Sequence, residues 1–434
     1  MFKAHMVSSK TWLSIVFSLV MMFAGLSACA QGQNSTPTFS NSTPITIGIS
    51  LSLTKDFSSD GVLMKQGYEL WANMVNNSGG LLGHPVKLII LDDKSDETQV
   101  ANNYSTLINT DKVNLILGPF STLLTKDAEK AKGIQNYALV EGAGGGPSVF
   151  ATTSNGLNGN GWNNIFGASV PVEFNLDTFV YNILSLPLSQ RPTTAAYLSS
   201  DDPFTFPQVV RARQLLEQGN IKTVYPNNTN PYQYGEGDSN ATAEATADAI
   251  KVVQSKAEVV VLGTLLPDIQ AEIKVFKSMH YRPRAIIATA GPDLGQDFIN
   301  AIGGEKYTEG IFVPNGWYPQ ADNFQNAAMV QAYIAQYNVP EDQVNADVAE
   351  AYSAGQVLQQ AVEQTRSLNG NILINYLHKD TSVFNTVQGT AKFAADGHNE
   401  QSLAYLFQWQ SGQLIPVYPL SVAAQNPEYS KYAF

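Results

Sequence analysis

Cysteine, charge and histidine are all scarce in this chain of 434 residues. The single cysteine, Cys29, makes an intrachain disulfide impossible. Charged residues make up only 14% of the chain and apolar residues 44%, which favours a globular protein over a disordered one. The five histidines are scattered, and none has the paired spacing of a metal site, so we expect no bound metal.

Basic residues are too few for a nucleic-acid-binding protein. The 25 lysines and arginines are outnumbered by 37 acidic residues, and the net charge of −12 argues against nucleic acid as a partner. The chain also lacks a G-x-S-x-G elbow, a Walker loop and a cysteine nucleophile. The glycine-rich run at residues 142–147 is not a dinucleotide fingerprint, because Pro147 replaces its last glycine. We therefore expect no cofactor and no enzymatic activity.

Long apolar runs are missing except near the N-terminus. Two lysines precede an apolar run at residues 12–23, which is too short for a transmembrane span and is typical of an export signal. The sequence Leu-Ser-Ala-Cys that follows resembles the bacterial lipobox, which implies removal of residues 1–28 and lipid attachment to Cys29. The alternative is an ordinary signal peptide with an incidental thiol. Residues 29–44 are rich in Ser, Thr, Asn and Pro, which indicates a flexible tether.

From residue 45 onward, apolar β-branched runs alternate with amphipathic helix patterns. This alternation predicts βαβ units, and hence an α/β fold with parallel sheets and helices on both faces. One series ends before residue 150 and a second begins after residue 170, so a chain of this length should form two lobes. Residues 163–170 are predicted to form a strand that crosses between the lobes, and residues 403–418 a C-terminal hairpin.

The stretch at residues 113–147 contains the predicted binding wall. Its two apolar strands, at residues 113–117 and 137–140, end in loops rich in small residues, Ser and Thr. In a parallel sheet such loops lie side by side at the carboxyl edge, where ligands bind. Hydroxyl and backbone N–H groups in these loops would suit a carboxylate.

Several segments resemble, in order, the branched-chain amino acid type of ABC-transporter substrate-binding protein. No single motif is decisive, and the resemblance rests on their order along essentially the whole chain after the tether. The matching segments are ITIGISLSLT (45–54), GYELWANMVNNSGGLLGHPVKLIILDDKSD (67–96), DKVNLILGPFST (111–122), VPVEFN (170–175), SSDDPF (199–204) and EGIFVPNGWYP (309–319).

This resemblance implies a periplasmic binding protein type I fold, also called a Venus flytrap. Such a fold has two Rossmann-like lobes, joined by a multi-stranded hinge, that close on a small ligand. Carried onto this sequence, lobe 1 would comprise residues 45–166 and 317–388, and lobe 2 residues 167–316 and 389–434.

The resemblance also implies a set of contacts on lobe 1. Ser121 and Thr122 would hold the carboxylate of an amino acid, and Ala143, Gly144 and Gly145 would supply main-chain contacts from the adjacent loop. Relatives that bind leucine-like ligands often have Ser or Thr at the position of Gly145. We therefore expect lobe 1 to offer fewer side-chain contacts to the ligand, and we expect selectivity to depend mainly on lobe 2.

On lobe 2, relatives use an acidic residue for the ammonium group of the ligand. Asp293 is the one acid near the matching position, and Leu265 stands where relatives place an aromatic residue. An α-amino acid is therefore the expected ligand class. A less polar ligand, or one without an amine, is the alternative.

Five further residues are candidates for cleft contacts. Phe57 and Phe204 would contact the ligand or, equally, pack between the lobes. Trp317 fits a wedge in the hinge slightly better than a ligand contact, and Asp202 would bond the ligand or cap the following helix. Glu141, at a strand end, would contact a cationic group, or else find a helix N-terminus or solvent as its partner.

These observations predict a lipid-anchored extracytoplasmic solute-binding protein. It would deliver a small ligand, an amino acid or a related carboxylate, to an ABC importer permease, and we expect it to act as a monomer. One alternative is a ligand-sensing protein that signals to a receptor or kinase. An exported hydrolase is a weaker alternative, because no constellation of catalytic residues supports it.

Overall fold

The computed structural model describes residues 41–150, 163–227 and 241–434, and a pair of short strands between the first two ranges. All of these residues belong to one compact unit. The predicted signal, Cys29 and most of the predicted tether lie outside the described residues. Within these ranges, no helix combines the length and apolar character needed to cross a bilayer.

A sheet of five parallel strands forms the centre of lobe 1. Its strands are β1 (Ile45–Leu51), β2 (Val86–Asp92), β3 (Leu115–Leu117), β4 (Leu139–Glu141) and β7 (Ile165–Gly167). They lie in the order β2-β1-β3-β4-β7. The predicted crossing strand at residues 163–170 therefore supplies the edge strand β7, which pairs with β4 before the chain leaves the lobe.

A sheet of seven strands forms the centre of lobe 2. Its strands are β8 (Thr194–Ser199), β9 (Lys222–Tyr225), β10 (Val259–Gly263), β11 (Ala285–Ala288), β12 (Ile311–Asn315), β15 (Tyr405–Gln410) and β16 (Gln413–Tyr418). They lie in the order β16-β15-β12-β11-β10-β8-β9. The last two form the predicted hairpin, which adds to the sheet antiparallel to β12. Two short pairs complete the strands, β5 (Thr152–Thr153) with β6 (Gly156–Leu157) and β13 (Phe384–Thr386) with β14 (Gly389–Ala391).

Helices cover both sheets. The α-helices are α1 (Ser58–Asn77), α2 (Glu97–Asn109), α3 (Thr122–Ala128), α4 (Pro147–Phe150), α5 (Asp177–Ser185), α6 (Thr205–Gln218), α7 (Ala241–Ser255), α8 (Leu266–Ser278), α9 (Gln296–Ala301), α10 (Asn326–Tyr337), α11 (Ala346–Thr365) and α12 (Gly370–Leu377). Short 3-10 helices lie at Ile134–Asn136, Val172–Phe174, Glu305–Tyr307 and Glu341–Gln343.

The five parallel strands of each lobe follow the same order. Lobe 1 has β2-β1-β3-β4-β7, and lobe 2 has β9-β8-β10-β11-β12. This confirms the α/β fold class and the repeated architecture predicted from the sequence. In such sheets the strand order reverses between the strands that come first and third along the chain, here β1 and β3 in lobe 1 and β8 and β10 in lobe 2. Ligands bind outside the carboxyl ends of the strands at that point.

Separate apolar cores support the two lobes. The main core of lobe 1 draws on residues 45–168 and 317–393, whereas the cores of lobe 2 draw on residues 176–313 and 406–434. This division supports the expected lobe boundaries, which stay a proposal. Between the lobes the chain is tied at the hinge, where the Ala168 carbonyl accepts a hydrogen bond from Asn399 Nδ2 at 2.8 Å.

Two glycines set how the returning C-terminal helices dock on lobe 1. A Cβ on Gly67 of α1 would lie 2.4 Å from the Val348 carbonyl oxygen of α11, and a Cβ on Gly355 would lie 2.4 Å from the Trp71 ring. Because residue numbers rise together along both helices, α1 and α11 run in the same direction. This contact places the first turns of α11 alongside the middle of α1, at Gly67.

Candidate functional site

The candidate site lies at the carboxyl edge of the lobe 1 sheet, where two helix N-termini meet the strand loops. A Cβ on Gly61, in the first turn of α1, would lie 1.9 Å from the Ser52 carbonyl oxygen just after β1. Similarly, a Cβ on Gly142, just after β4, would lie 2.3 Å from the Glu350 carbonyl oxygen in α11. Both helices therefore begin at the edge that carries the predicted binding wall.

The two loops of the predicted binding wall do come together. Gly144 has φ +144°, and a Cβ there would lie 2.6 Å from the Ser121 carbonyl carbon and oxygen. Only glycine allows this approach of one backbone to the other. A backbone bridge between Phe120 and Ala143 continues the contact.

Ser121 and Thr122 begin helix α3 in this wall. Ser121 is partly exposed, adopts φ +74°, and its Oγ accepts the backbone N–H of Leu124 at 3.2 Å. The hydroxyl can still donate, since a serine hydroxyl has one donor hydrogen and two acceptor lone pairs. Thr122 is fully buried, and its Oγ1 has no hydrogen-bond partner among the described residues. Buried polar atoms are rarely left unpaired, so this hydroxyl has unused hydrogen-bonding capacity.

Gly145 is buried, and the space a side chain would fill there is already occupied. A Cβ on Gly145 would lie 2.5 Å from the Phe150 ring and 2.9 Å from Glu141 Oε1. The position is therefore not an open gap in the wall: a carboxylate and an aromatic ring stand where a larger residue would have to fit.

Glu141 is the buried acid of this wall. Its side chain is 1% exposed, and Oε2 has no hydrogen-bond partner in the described part of the chain. Burial raises its pKa to about 8. No helix N-terminus in the described chain therefore bonds Oε2, and contact of this carboxyl group with a cationic group stays a hypothesis.

Four more carboxyl groups surround the same space, one from lobe 2 and three from lobe 1. Asp293 follows β11, Asp60 and Asp347 lie in the first turns of α1 and α11, and Glu350 lies three residues after Asp347. All four side chains are partly exposed. We call these four residues the acidic cluster.

The pKa values of the acidic cluster show that its members lie near one another. Burial and then Asp293 raise the pKa of Asp60 to about 7. Burial raises the pKa of Glu350 to about 8, with Glu141 as the largest charged contributor and Asp293 next. Burial, followed by Asp60, raises the pKa of Asp347 well above its ordinary value. Asp293, on lobe 2, thus lies close enough to Asp60 and Glu350 of lobe 1 for its charge to affect their pKa values.

The aromatic candidates take different positions. Phe57 is partly exposed and packs edge-to-face on Phe120, with ring centroids 5.8 Å apart. Phe204, just before α6, and Leu265, just before α8, are also partly exposed. All stand at the carboxyl edges of their sheets, where they could flank a ligand.

Two candidates have structural roles. Asp202 Oδ1 accepts the backbone N–H groups of Phe204 and Thr205 at 2.8 and 2.9 Å, so this residue caps α6. Trp317 is 1% exposed within the lobe 1 core, and its Nε1 donates to Asn326 Oδ1 at 2.7 Å. As a core residue, Trp317 presents almost no surface to a ligand. For Asp202 this is the capping alternative that the sequence offered, whereas Trp317 lies in the lobe 1 core, and its predicted role as a hinge wedge stays a prediction.

Sequence reasoning missed most of the acidic cluster. An acid in the first helical turn is the ordinary complement of the helix dipole, so Asp60 and Asp347 carried no functional signal. Phe120, in the predicted binding wall, was also missed. Glu350 is one turn beyond the helix start, and its position becomes informative only when α11 is placed beside α1 and the loop after β4. No group of three or more candidate ligands among the described residues is arranged to hold a metal ion.

Comparison with known proteins agrees with this two-lobed architecture. A family model described as periplasmic binding protein matches residues 44–413. A Leu/Ile/Val-binding protein homologue from Brucella melitensis is 22% identical over 380 residues, covering 86% of this chain and 93% of that protein.

Solved structures show the same fold at low identity. The branched-chain amino acid transporter substrate-binding protein of Streptococcus pneumoniae, in complex with isoleucine, matches with a TM-score of 0.67 and 16% identity over 86% of this chain and 98% of that chain. An ABC-transporter solute-binding protein from R. palustris, in complex with benzoate, matches with a TM-score of 0.65 and 15% identity over 90% of this chain and all of that chain.

Two lobes built on parallel strands in the same order are the architecture of a two-lobed solute-binding protein. Because the family model covers most of the chain, the protein belongs to the periplasmic binding protein family. The family and fold implied by the sequence resemblance are thereby confirmed.

Proposed function

We propose that this protein captures an α-amino acid between its lobes and delivers it to an ABC importer. The observation that carries the proposal is the opposition of two kinds of group across one cleft. Ser121, Thr122 and the main chain at Ala143 and Gly144 offer hydroxyl and N–H donors, and Asp293, whose charge acts on Glu350 of lobe 1, would face them from lobe 2. Donors on one side and a carboxylate on the other match a zwitterion.

The relatives support this ligand class. One is named as a Leu/Ile/Val-binding homologue, and a structural neighbour holds isoleucine. The neighbour that holds benzoate is evidence that the fold also serves ligands without an amine. The acidic cluster favours an amine here, because a ligand carrying only a carboxylate would bring a further negative charge close to four carboxyl groups.

The family places the protein outside the cytoplasm. We propose in addition that the N-terminal segment is an export signal, that Cys29 carries a lipid anchor, and that the closed form docks as a monomer on an ABC permease. We also propose that the protein performs no catalysis. A sensor that passes its signal to a receptor would need the same cleft, and loss of uptake on deletion separates the transporter from the sensor.

A thermal-shift screen of the chain from residue 30 onward tests this proposal. The panel contains amino acids, amides and small organic acids. A ligand at 100 times its dissociation constant raises the free energy of unfolding by about 2.7 kcal/mol, enough to move the melting curve. A shift produced by α-amino acids supports the proposal. A shift produced only by acids without an amine contradicts it.

A further inference from the structure

The glycine-rich loop after β4 is bonded to the segment through which the chain first leaves lobe 1. We call residues 142–147 the β4 loop and residues 168–172 the first crossing. The Gly145 carbonyl accepts a hydrogen bond from the Val172 N–H at 2.7 Å, and the Ser169 hydroxyl donates to the carbonyl of the first residue of the loop. The loop that is predicted to contact the ligand is therefore also attached to the hinge.

Gly146 is the point at which this loop contacts lobe 2. The residue is buried, and a Cβ there would lie 2.7 Å from Val172 Cγ2, 3.3 Å from Thr122 Cγ2 and 3.5 Å from the Pro203 carbonyl oxygen. Pro203 lies between β8 and α6, at the carboxyl edge of the lobe 2 sheet. Gly146 thus lies between a side chain of lobe 1 and the backbone of lobe 2.

The glycine at this position is explained by space rather than by backbone conformation. Gly146 does not have a positive φ, so the backbone itself would accept an alanine. Its carbonyl accepts the N–H groups of Val149 and Phe150, which fixes the loop at the start of α4. Val172 is β-branched and 2% exposed, so its side chain cannot easily turn aside. An added methyl group would therefore push the first crossing, and with it lobe 2, away from the β4 loop.

We propose that Gly146 is a closure contact: lobe 2 packs against it when the lobes close on a ligand, and its missing side chain sets how near they come. The inference rests on the proposed function, in which Ala143 and Gly144 of the same loop contact the ligand. One short loop then connects ligand contact to the position of the hinge. A substitution that raises the free energy of the closed form alone reduces the binding-competent fraction of the protein, and the apparent affinity falls in proportion.

Spin labels on the two lobes test this proposal through the distance between them. The chain from residue 30 onward contains no cysteine, so Val62→Cys and Gln296→Cys provide unique labelling sites. Both residues are exposed and lie near the carboxyl edges of their sheets, one on α1 and the other on α9. Pulsed electron paramagnetic resonance gives the distribution of label separations, without ligand and with an equimolar mixture of the standard amino acids other than cysteine.

Gly146→Ala should lower the ratio of closed to open molecules about tenfold, because the added methyl group obstructs only the closed form. The matched control is Ser148→Ala, an exposed residue two positions further along, which should leave the distribution unchanged. A Gly146→Ala distribution identical to that of the wild type in both conditions overturns the inference.

A second substitution tests the contact itself. Val172→Ala removes the methyl group that the added Cβ would meet. Gly146→Ala combined with Val172→Ala should therefore recover the closed fraction of Val172→Ala alone. A double variant that remains as open as Gly146→Ala would overturn the inference, since the obstruction would then lie elsewhere.

Chemical denaturation separates closure from folding. A Gly146→Ala variant that loses stability but keeps the wild-type distribution would show that this glycine serves the folding of lobe 1, and would overturn the inference. An amino acid mixture that leaves the wild-type distribution unchanged would instead contradict the proposed function. In that case the ligand-free distributions of the wild type and Gly146→Ala still decide the inference, because the protein alone forms the contact.

Discussion

Lobe 1 and lobe 2 share a strand order, but their polar groups at the cleft edge differ. In lobe 2 some of them are satisfied internally: Asp202 caps α6, and Thr264 Oγ1 donates to the Glu272 carboxylate at 3.2–3.3 Å. Gln208 Oε1, in the first turn of α6, is buried without a partner in the described chain. In lobe 1, Thr122 and Glu141 are buried with hydrogen-bonding capacity left over in the described chain. We therefore expect a ligand to use the free hydrogen-bonding capacity of lobe 1, while lobe 2 covers the ligand and contributes Asp293.

This comparison changes where selectivity should lie. The sequence led us to expect a bare lobe 1, because Gly145 replaces a hydroxyl residue of the relatives. In the structure Glu141 and Phe150 fill that space, and lobe 1 contributes three of the four residues of the acidic cluster. We now propose that both lobes contribute to selectivity.

The largest effect should come from separating the two loops of lobe 1. Gly144→Ala would place a Cβ 2.6 Å from the Ser121 backbone at a positive φ. We therefore expect the free energy of unfolding to fall by about 3 kcal/mol and ligand binding to be lost. Gly304→Ala is the matched control: φ is +124° and no atom lies within 4 Å of the added Cβ. Its cost should be about 1 kcal/mol, without loss of binding. Equal costs in chemical denaturation would mean that the loops do not need this contact.

The next largest effect should distinguish the roles of two aspartates of lobe 2, Asp293 and Asp202. Asp293→Asn should weaken amino acid binding about 10- to 100-fold by removing a charged hydrogen-bond partner. Asp202→Ala should instead cost about 1 kcal/mol of stability by removing the cap of α6, with affinity unchanged. Calorimetry and denaturation together measure both quantities. If the two variants exchange these effects, Asp202 is the ligand partner and Asp293 is structural.

A smaller effect should follow from removing the hydroxyl groups of the lobe 1 wall. Ser121→Ala combined with Thr122→Val should weaken binding about tenfold, because the ligand carboxylate loses two donors but keeps the backbone N–H groups. Unchanged affinity in a calorimetric titration would place the carboxylate elsewhere in the cleft.

The smallest effect is a pH-dependent change in the stability of the ligand-free protein. The folded pKa of Glu141, about 8, lies above its ordinary value, so between those two values the folded state retains a proton that the unfolded state has lost. The free energy of unfolding therefore falls as pH rises through this window. Asp60, Asp293, Asp347, Glu350 and Tyr68 face the same region, and the raised pKa values of the four acids act in the same direction.

Glu141→Gln isolates this contribution. The variant should match the wild type near pH 5 and exceed its stability by about 1–2 kcal/mol near pH 8.5, because glutamine cannot ionise. Exposed Glu363→Gln on α11 should show no such difference between the two pH values. A wild type that becomes more stable from pH 5 to pH 8.5 relative to Glu141→Gln would contradict the burial of this carboxyl group.

Local patterns predicted the elements well and the site only in part. The C-terminal hairpin predicted at residues 403–418 is present as β15 and β16, because apolar runs and the turn residues between them define it. Strand β3 is shorter than predicted because the Val113 N–H bonds the Leu107 carbonyl of α2 instead of a neighbouring strand. Helix α12 was missed altogether.

The candidate site, too, was predictable only where its residues lie close together in the sequence. The loops at Ser121 and Gly144 lie in one continuous stretch of sequence, so their meeting was predictable from the order of strands. In the acidic cluster, Asp60 lies more than 200 residues before Asp293 and the first turns of α11. Only the return of α11 to lobe 1 and the approach of lobe 2 bring these residues together.

Calorimetric comparison of an amino acid with its deaminated counterpart tests the central claim most directly. The pairs are L-leucine with 4-methylpentanoate and L-lysine with 6-aminohexanoate, which differ only in the α-amine. Recognition from both lobes predicts that the amino acid of at least one pair binds about 100-fold more tightly, a difference of about 2.7 kcal/mol. Equal or tighter binding of the deaminated acid in both pairs would contradict the assignment of Asp293 and with it the amino acid cleft.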